Sequence, residues 1–250
     1  MELWVEIPPN PSELILAWRA PESEKDRKRW AVGVLSNRDG GATFRYFVGE
    51  EFKRLNFGRT QSQLAVLGYR GYPAFELRHG ANRTFTEGVM EAFLRRVPPS
   101  HRSDFSRYLE FYRYRGEALP PMSLLGLTSA RLPSDGFSLI DRLNPASEAC
   151  DLVIEIAGFR HHVPQFGILS DGMPLTLCAE PTNPYDVDAV RIDAVGTTIG
   201  YVNWLQAASI STWLQTRVLS AWLCRRNGRP ESPVAYAFLR MRRDQQALAA

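Results

Sequence analysis

The side chains best suited to chemistry fall in one stretch, Gly158 to Tyr201. Arg160-His161-His162 comes first, Asn183-Pro184-Tyr185-Asp186 follows, and Ile199-Gly200-Tyr201-Val202 closes it. The chemistry these residue types offer is recognition. Arginine holds phosphate through a two-pronged hydrogen bond, a tyrosine ring stacks on flat ligands, and a carboxylate accepts from a hydroxyl. Histidine stacks as well, and it contacts phosphate when protonated. Each residue also has an ordinary reading: Asn183 forms the turn, Asp186 caps it, and Tyr185 and Tyr201 simply pack. A metal held by His161 and His162 is a further alternative, but no cysteine or carboxylate stands beside the pair to complete a ligand set. Catalytic signatures are missing: there is no Gly-x-x-x-x-Gly-Lys, no Gly-x-Ser-x-Gly, no His-Glu-x-x-His and no kinase catalytic loop. The expectation is a non-catalytic binding protein with no cofactor and no metal.

The elements that must position these residues read as strands. Leu175, Leu177 and Ala179 alternate with Thr176 and Cys178, the period of a half-buried strand. Asn183-Pro184 is turn chemistry, so Tyr185 and Asp186 are presented at a sheet edge. Ala189 to Asp193 and Thr198 to Val202 are two more strands, joined by a tight turn at Val195-Gly196. Arg160 is expected on an exposed strand beside the same site. Asn203 caps a short helix through Ala207, and Ser209 or Ser211 starts the next turn, with Trp213 and Leu214 packing. Val218 to Cys224 and Val234 to Met241 are closing strands, joined by the turn Asn227-Gly228-Arg229-Pro230. Six strands with a short helical insert predict a closed barrel, which leaves no exposed edge. The tail Asp244 to Ala250 is expected to fray.

The ordered pieces — an aromatic-basic strand, Leu-x-Leu-x-x-Glu-Pro, Asn-Pro-Tyr-Asp, Ala-Val and Ile-Gly-Tyr-Val — together resemble the HIRAN domain, over residues 148–250. The resemblance implies an OB-like six-stranded barrel that holds the 3′ end of single-stranded DNA. It implies that Asp186 accepts the terminal 3′-hydroxyl, that Tyr185 stacks on a base, that Arg160 contacts phosphate and that Tyr201 faces the end pocket. His161 and His162 depart from the family, which usually carries tyrosine-like aromatics there.

The first half reads differently. Leu14 to Trp18 is a strand, followed by the charged loop Glu22 to Arg29 and a second strand, Trp30 to Leu35. Asn37-Arg38-Asp39-Gly40-Gly41 is a hairpin turn from which Ala42 to Phe47 returns. This pattern resembles the N-terminal subdomain of HipA-type kinases, which also occurs alone as HipS-type proteins; the match runs from Leu14 to Val48. It implies docking of a separate HipA-like kinase, in a toxin–antitoxin or DNA-damage and defence system. Gly68 to Phe75 is an aromatic loop without an assigned partner. Phe85 to Arg96 has helical spacing, with Phe85, Val89, Phe93 and Leu94 on one face, and Pro98-Pro99 stops it. Ser103 to Arg113 is another helix, with Ser103 as N-cap and Phe105, Tyr108, Leu109 and Tyr112 facing inward. Leu119 to Asp141 demands no chemistry. Asn144-Pro145-Ala146-Ser147 marks the boundary between domains 1–147 and 148–250. The fold class is α+β.

Composition bounds the partners. The 250-residue chain carries a formal charge of only +3, which argues against a protein that coats duplex DNA. Of the 30 cations 27 are arginine, suited to phosphate and base contacts; a high-GC genome would give the same bias. From Asp151 onward nine arginines meet nine acids, yet Arg217, Arg225, Arg226, Arg229, Arg240, Arg242 and Arg243 crowd the end. That cluster is expected to be a local field for a strand backbone or a solvated face. Cys150, Cys178 and Cys224 read as reduced core thiols. No apolar run approaches a membrane span, and Met1-Glu2-Leu3-Trp4 lacks a basic leader, so a cytoplasmic location is expected. The alternative function is a protein–protein regulator whose barrel has lost DNA binding, a reading motivated by His161 and His162. A hydrolase or nuclease accessory is the weaker one.

Overall fold

The computed structural model describes residues 3–21, 28–38, 41–77, 82–132, 134–162, 169–229 and 232–243. Most of the Glu22–Arg29 loop, the Asp39-Gly40 turn tip, Pro230 and the 244–250 tail lie outside the described residues. The chain forms two compact units. One comprises Asn10–Phe105 and Ala118–Arg142; the other comprises Met1–Pro9, Ser106–Glu117 and Leu143–Ala250. A single cut at residue 147 therefore does not separate them, because two earlier segments belong with the C-terminal half.

In chain order the first unit holds β1 (Glu13–Arg19), β2 (Arg29–Arg38), β3 (Gly41–Tyr46), α1 (Gly49–Leu55), α2 (Gln61–Val66), β4 (Thr84–Phe85) and α3 (Val89–Leu94). After α4 (Phe105–Phe111) come α5 (Pro121–Thr128) and β5 (Phe137–Ile140). The sheet order is β4-β3-β2-β1-β5, with every described pairing antiparallel. The three expected strands are present. The helix expected from Phe85 starts later, because Phe85 pairs with Phe44 and Gly88, at φ 61°, turns the chain into α3. The helix expected from Ser103 starts at Phe105, and the serine lies outside it. Sequence reading assigned no element to the span of α1 and α2. There Thr60 and Gln63 form a reciprocal capping box.

The unassigned aromatic loop finds its partners inside this unit. Tyr72 stacks on Phe93 at 4.9 Å and meets Phe137 edge-on at 5.2 Å; Phe75 stacks on Phe44 at 4.9 Å. Arg96, almost fully buried, pairs with Asp135 at 2.6 Å and donates to the carbonyls of Ala130 and Phe137. Every nitrogen of the buried cation thus donates a hydrogen bond, the condition under which burying it is tolerable.

The second unit holds β6 (Ala149–Glu155), β7 (Pro174–Ala179), β8 (Val190–Ala194), β9 (Thr197–Tyr201), α6 (Trp204–Thr216), β10 (Arg217–Arg229) and β11 (Ser232–Arg243). Their order is β6-β11-β10-β7-β8-β9. Val195 at φ 50° and Gly196 at φ 74° make the two-residue turn between β8 and β9, as expected. The helical insert is one 13-residue helix rather than two short pieces. Asn203 accepts from the Leu205 amide at its start, and Ile210 and Trp213 are buried in the core.

The expected barrel closure is not a continuous ladder. The first and last strands of the sheet meet through one bridge, Ala157 with Tyr201, whose two hydrogen bonds are 2.7 and 2.8 Å. Gly200 permits the approach. At φ 147°, a Cβ there would stand 2.5 Å from the Ala157 carbonyl oxygen. Beyond Ala157 the chain turns away, so the ladder cannot extend.

The C-terminal arginines are not a free field. Pairing of β11 with β6 sets Arg240 opposite Asp151, a side chain with no exposed surface. Asp151 accepts from Arg240 Nε at 3.0 Å, Arg242 at 2.8 Å and the Glu6 and Ile7 amides. Its own amide donates to the Ile7 carbonyl, which ties residues 3–9 to this unit. Arg243 pairs with Glu148, and Arg217 donates to the Ser147 carbonyl.

Burial alone pushes the Asp151 carboxyl up, but hydrogen bonds from Arg242, the Glu6 amide and Arg240 outweigh it and hold the carboxyl below its ordinary range. A depressed folded value stabilises at pH above the unfolded value, and that stability is lost as pH falls through the folded one. Asp151→Ala is expected to cost about 1–3 kcal/mol, because half-buried Arg240 and Arg242 and the Glu6 and Ile7 amides lose their shared acceptor, with the Glu6 carboxylate left beside the arginines. Denaturant melts should show this loss at neutral pH. Melts from neutral to acid should show a shallower acid decline in the variant than in the native chain.

Candidate functional site

The loop between β7 and β8, residues 180–189, is built by its own side chains. Asn183 Oδ1 accepts from the Tyr185 amide at 3.0 Å, and Asp186 Oδ1 accepts from the Asp188 amide at 3.0 Å. Two successive Asx turns result, so the turn-forming readings of Asn183 and Asp186 both hold. Pro184 between them has no amide hydrogen to compete for those acceptors. Glu180 N donates to the Ala189 carbonyl and pins the loop base.

Tyr185 is 87% exposed, so the packing reading fails for it. The Asp186 Oδ2 atom has no hydrogen-bond partner among the described residues. One loop thus presents an exposed ring beside a carboxylate with a free oxygen.

Beneath the loop lies a polar network that sequence reading missed. Asn183 Nδ2 donates to Glu180 at 2.9 Å. Arg191 Nη1 reaches Glu180 at 2.6 Å, while its Nε and Nη2 reach Asp193 at 2.9 and 3.0 Å. Arg191 and Asp193 lie two residues apart on β8, on the face opposite buried Val190, Ile192 and Ala194. That alternation was the available signal. Hydrogen bonds from Asn183, and then from Arg191, hold the Glu180 carboxyl below its usual range, burial opposing. Arg191 is pushed up by Asp193 and Glu180 in turn. Cys178, opposite Arg191 on β7, is half-buried with its Sγ 3.9 Å from Asp193. It is therefore not the core thiol expected; Cys150 and Cys224 are buried.

Tyr201 joins this network from β9, where it pairs with Arg191. Burial and the neighbouring Glu180 charge push its phenol up, leaving it a neutral donor near neutral pH. Through its bridge to Ala157, Tyr201 also sits beside residues 158–162.

Those residues do not form the expected strand. Gly158, at φ 76°, ends the extended run, and Phe159–His161 make one turn of 3-10 helix with Phe159 buried. Arg160 is half-buried and donates from Nε to His161 Nε2 at 3.1 Å. His161 is exposed and His162 half-buried. The structure thus places this turn next to Tyr201, and Tyr201 next to the Glu180 network. Tyr185 and Asp186 hydrogen-bond only within their own loop among the described residues. No cluster of three His, Cys, Asp or Glu side chains able to hold a metal occurs among the described residues. No helix there is long and apolar enough to cross a membrane.

The second unit is thus an antiparallel six-stranded sheet with an inserted helix, carrying the exposed Tyr185 on its β7–β8 loop. Residues 150–239 match the family model of the HIRAN domain, and this segment is a HIRAN domain. Two solved structures are similar. The HIRAN domain of human HLTF has 16% identity and a TM-score of 0.33, covering 38% of this chain and 78% of that one. A protein from Lactobacillus plantarum has 21% identity and a TM-score of 0.33, covering 38% of this chain and 95% of that one. No curated protein matches the chain.

Arg191 is the central tie of the network. Arg191→Gln should leave Glu180 and Asp193 uncompensated and loosen residues 180–189. Hydrogen exchange should then speed up at the Tyr185 and Asp188 amides while β10 and β11 stay protected. Unchanged exchange in the loop would show that the Asx turns suffice alone. In the native chain the Glu180 contribution has the carboxylate sign: it is present above the ordinary glutamate value and lost as pH falls through the lowered one.

Proposed function

We propose that the HIRAN-containing unit binds the 3′-hydroxyl end of single-stranded DNA and carries out no reaction of its own. The observation that carries the reading is the pairing of an 87% exposed Tyr185 with the free Oδ2 of Asp186 on one braced loop. A ring held out into water by a stiff loop is ready to stack without paying much ordering entropy. The loop and β8 hold Glu180, Asp186, Asp188 and Asp193 against one cation, Arg191, and such a surface repels phosphate. A terminal hydroxyl, which can donate to Asp186, is therefore favoured over a strand that continues. Arg160, oriented by His161, is the phosphate contact assigned to the adjacent turn.

The first unit is assigned the docking of a protein partner such as a HipA-like kinase, in a toxin–antitoxin or DNA-damage and defence setting, on the resemblance from Leu14 to Val48. The second reading is a protein–protein regulator without DNA binding. It is favoured by the fate of the arginines: Arg240 and Arg242 are spent on Asp151.

Fluorescence anisotropy with short single strands at fixed salt separates the two. Strands ending in 3′-phosphate should bind at least about tenfold worse than 3′-hydroxyl strands, since a hydrogen bond to a charged group is lost. Tyr185→Ala should weaken all sequences alike, also about tenfold, because stacking ignores base identity. Arg160→Ala should lower affinity and flatten the salt dependence by about one phosphate contact. Equal affinity for 3′-hydroxyl, 3′-phosphate and circular strands would remove the end-binding reading.

A further inference from the structure

Residues 3–9 and 106–117 build a face of the second unit that lies outside the HIRAN match. Its sequence alternates arginine with aromatics: Arg107-Tyr108, then Phe111-Tyr112-Arg113-Tyr114-Arg115. Two stacked pairs stand on it. The Arg115 guanidinium lies 3.7 Å over the Trp4 ring, and the Arg225 guanidinium lies 3.8 Å over the Phe111 ring. Arg225 is further enclosed by Tyr236 at 4.3 Å and donates to the Phe111 carbonyl. The Val5 amide donates to the Arg113 carbonyl, and Arg113 donates to the Cys224 carbonyl, so the three segments are fastened together.

Two features point outward from this face. Phe111 is 47% exposed although it rests on a cation, and Arg115 keeps 52% of its side chain exposed above Trp4. Each is backed on one side by its stacking partner and keeps about half of its surface exposed. The second feature is charge. Among the described residues, Arg225 Nε and Nη2 are buried without a hydrogen-bond partner, and Asp151 and Glu6 are engaged by Arg240 and Arg242 instead. Glu110 partly offsets Arg115 through an exposed pair, which is worth little. A half-buried cation lacking an anionic partner is lowered in energy by a negative charge that settles nearby.

We infer that this face takes the body of a nucleic-acid strand, with bases stacked on Phe111 and on the Arg115 plane and the backbone beside Arg107 and Arg225. The ligand class follows from the pairing of flat π surfaces with excess arginine. The inference rests on the single-strand reading above, and it assigns a second contact that reads neither sequence nor chain end.

The test uses the full chain and 5′-labelled oligothymidylates of about 4 and about 16 nucleotides, bracketing the site sizes of single-strand binders. The double variant Phe111→Leu, Arg115→Lys keeps the charge and the apolar contact and removes both stacking planes. The native chain should bind the longer strand more tightly, and the variant should lose about tenfold on that strand alone. Its preference for 3′-hydroxyl over 3′-phosphate on the short strand should stay native. Tyr185→Ala should show the reverse: about tenfold weaker binding of the short strand, length gain kept. If the double variant melts below the native chain, Arg115→Gln alone supplies the reading, since that side chain is half-exposed. The inference is overturned if the native chain gains nothing from length, or if the gain survives in the variant. It is also overturned if the variant alters self-association in sedimentation instead of strand binding. Absence of any 3′-hydroxyl preference in the native chain, with the length gain intact, would sink the end reading and leave this one standing.

Discussion

A carboxylate with no exposed surface sets the layout of the second unit. Asp151 lies near the start of β6, and its oxygens gather Arg240, Arg242 and two backbone amides from the N-terminal segment. An unpaired charge at such a position would cost several kcal/mol, a large part of the net stability of a typical domain. The cations and amides are therefore obligatory partners, and their positions are dictated by it. Residues 3–9 cannot leave without exposing that charge. The C-terminal arginines cannot serve as an outer basic field while they neutralise it.

On the proposed reading, recognition in this unit is then left to aromatic rings, carboxylates and a few other arginines. The β7–β8 loop illustrates how such a surface is kept ready. Its two Asx turns define the backbone locally, and the Asn183–Glu180–Arg191–Asp193 chain of hydrogen bonds anchors it to the strands below. Among the described residues, Tyr185 packs on nothing and is left 87% exposed. Exposing a large ring in this way is unfavourable for an isolated domain, and a ligand that covers it recovers the cost.

The same economy of arginine recurs in the first unit, where Arg96 is buried between Asp135 and two carbonyls and lies 5.5 Å from the Tyr72 ring. The arginine-rich composition, read as a sign of phosphate contacts or of genome bias, is in large part structural. The planar fork of guanidinium satisfies several acceptors at once and stacks on rings, which lysine cannot do. Arg225, between Phe111 and Tyr236, keeps two guanidinium nitrogens without a hydrogen-bond partner among the described residues.

The sequence by itself determined what depends on near neighbours. Alternation along Leu175 to Ala179, the Asn183-Pro184 turn, the Val195-Gly196 turn and the Asn203 cap were all legible, because each is decided by a few consecutive side chains and their own backbone. The order Asn-Pro-Tyr-Asp likewise marked the loop that the structure leaves exposed. Tertiary structure decided what depends on distant partners. Residues 158–162 became a turn because Phe159 was drawn into the core and Gly158 allowed the bend. The sheet met itself at one bridge instead of a full seam, because only Gly200 lets the two segments approach. The charges of Arg240 and Arg242 went inward because Asp151 stands opposite them across β6 and β11, and the amide of Glu6 reaches the same carboxylate from 145 residues away. No local pattern encodes a contact at that separation; it exists only once burial has made an unpaired carboxylate too costly to leave alone.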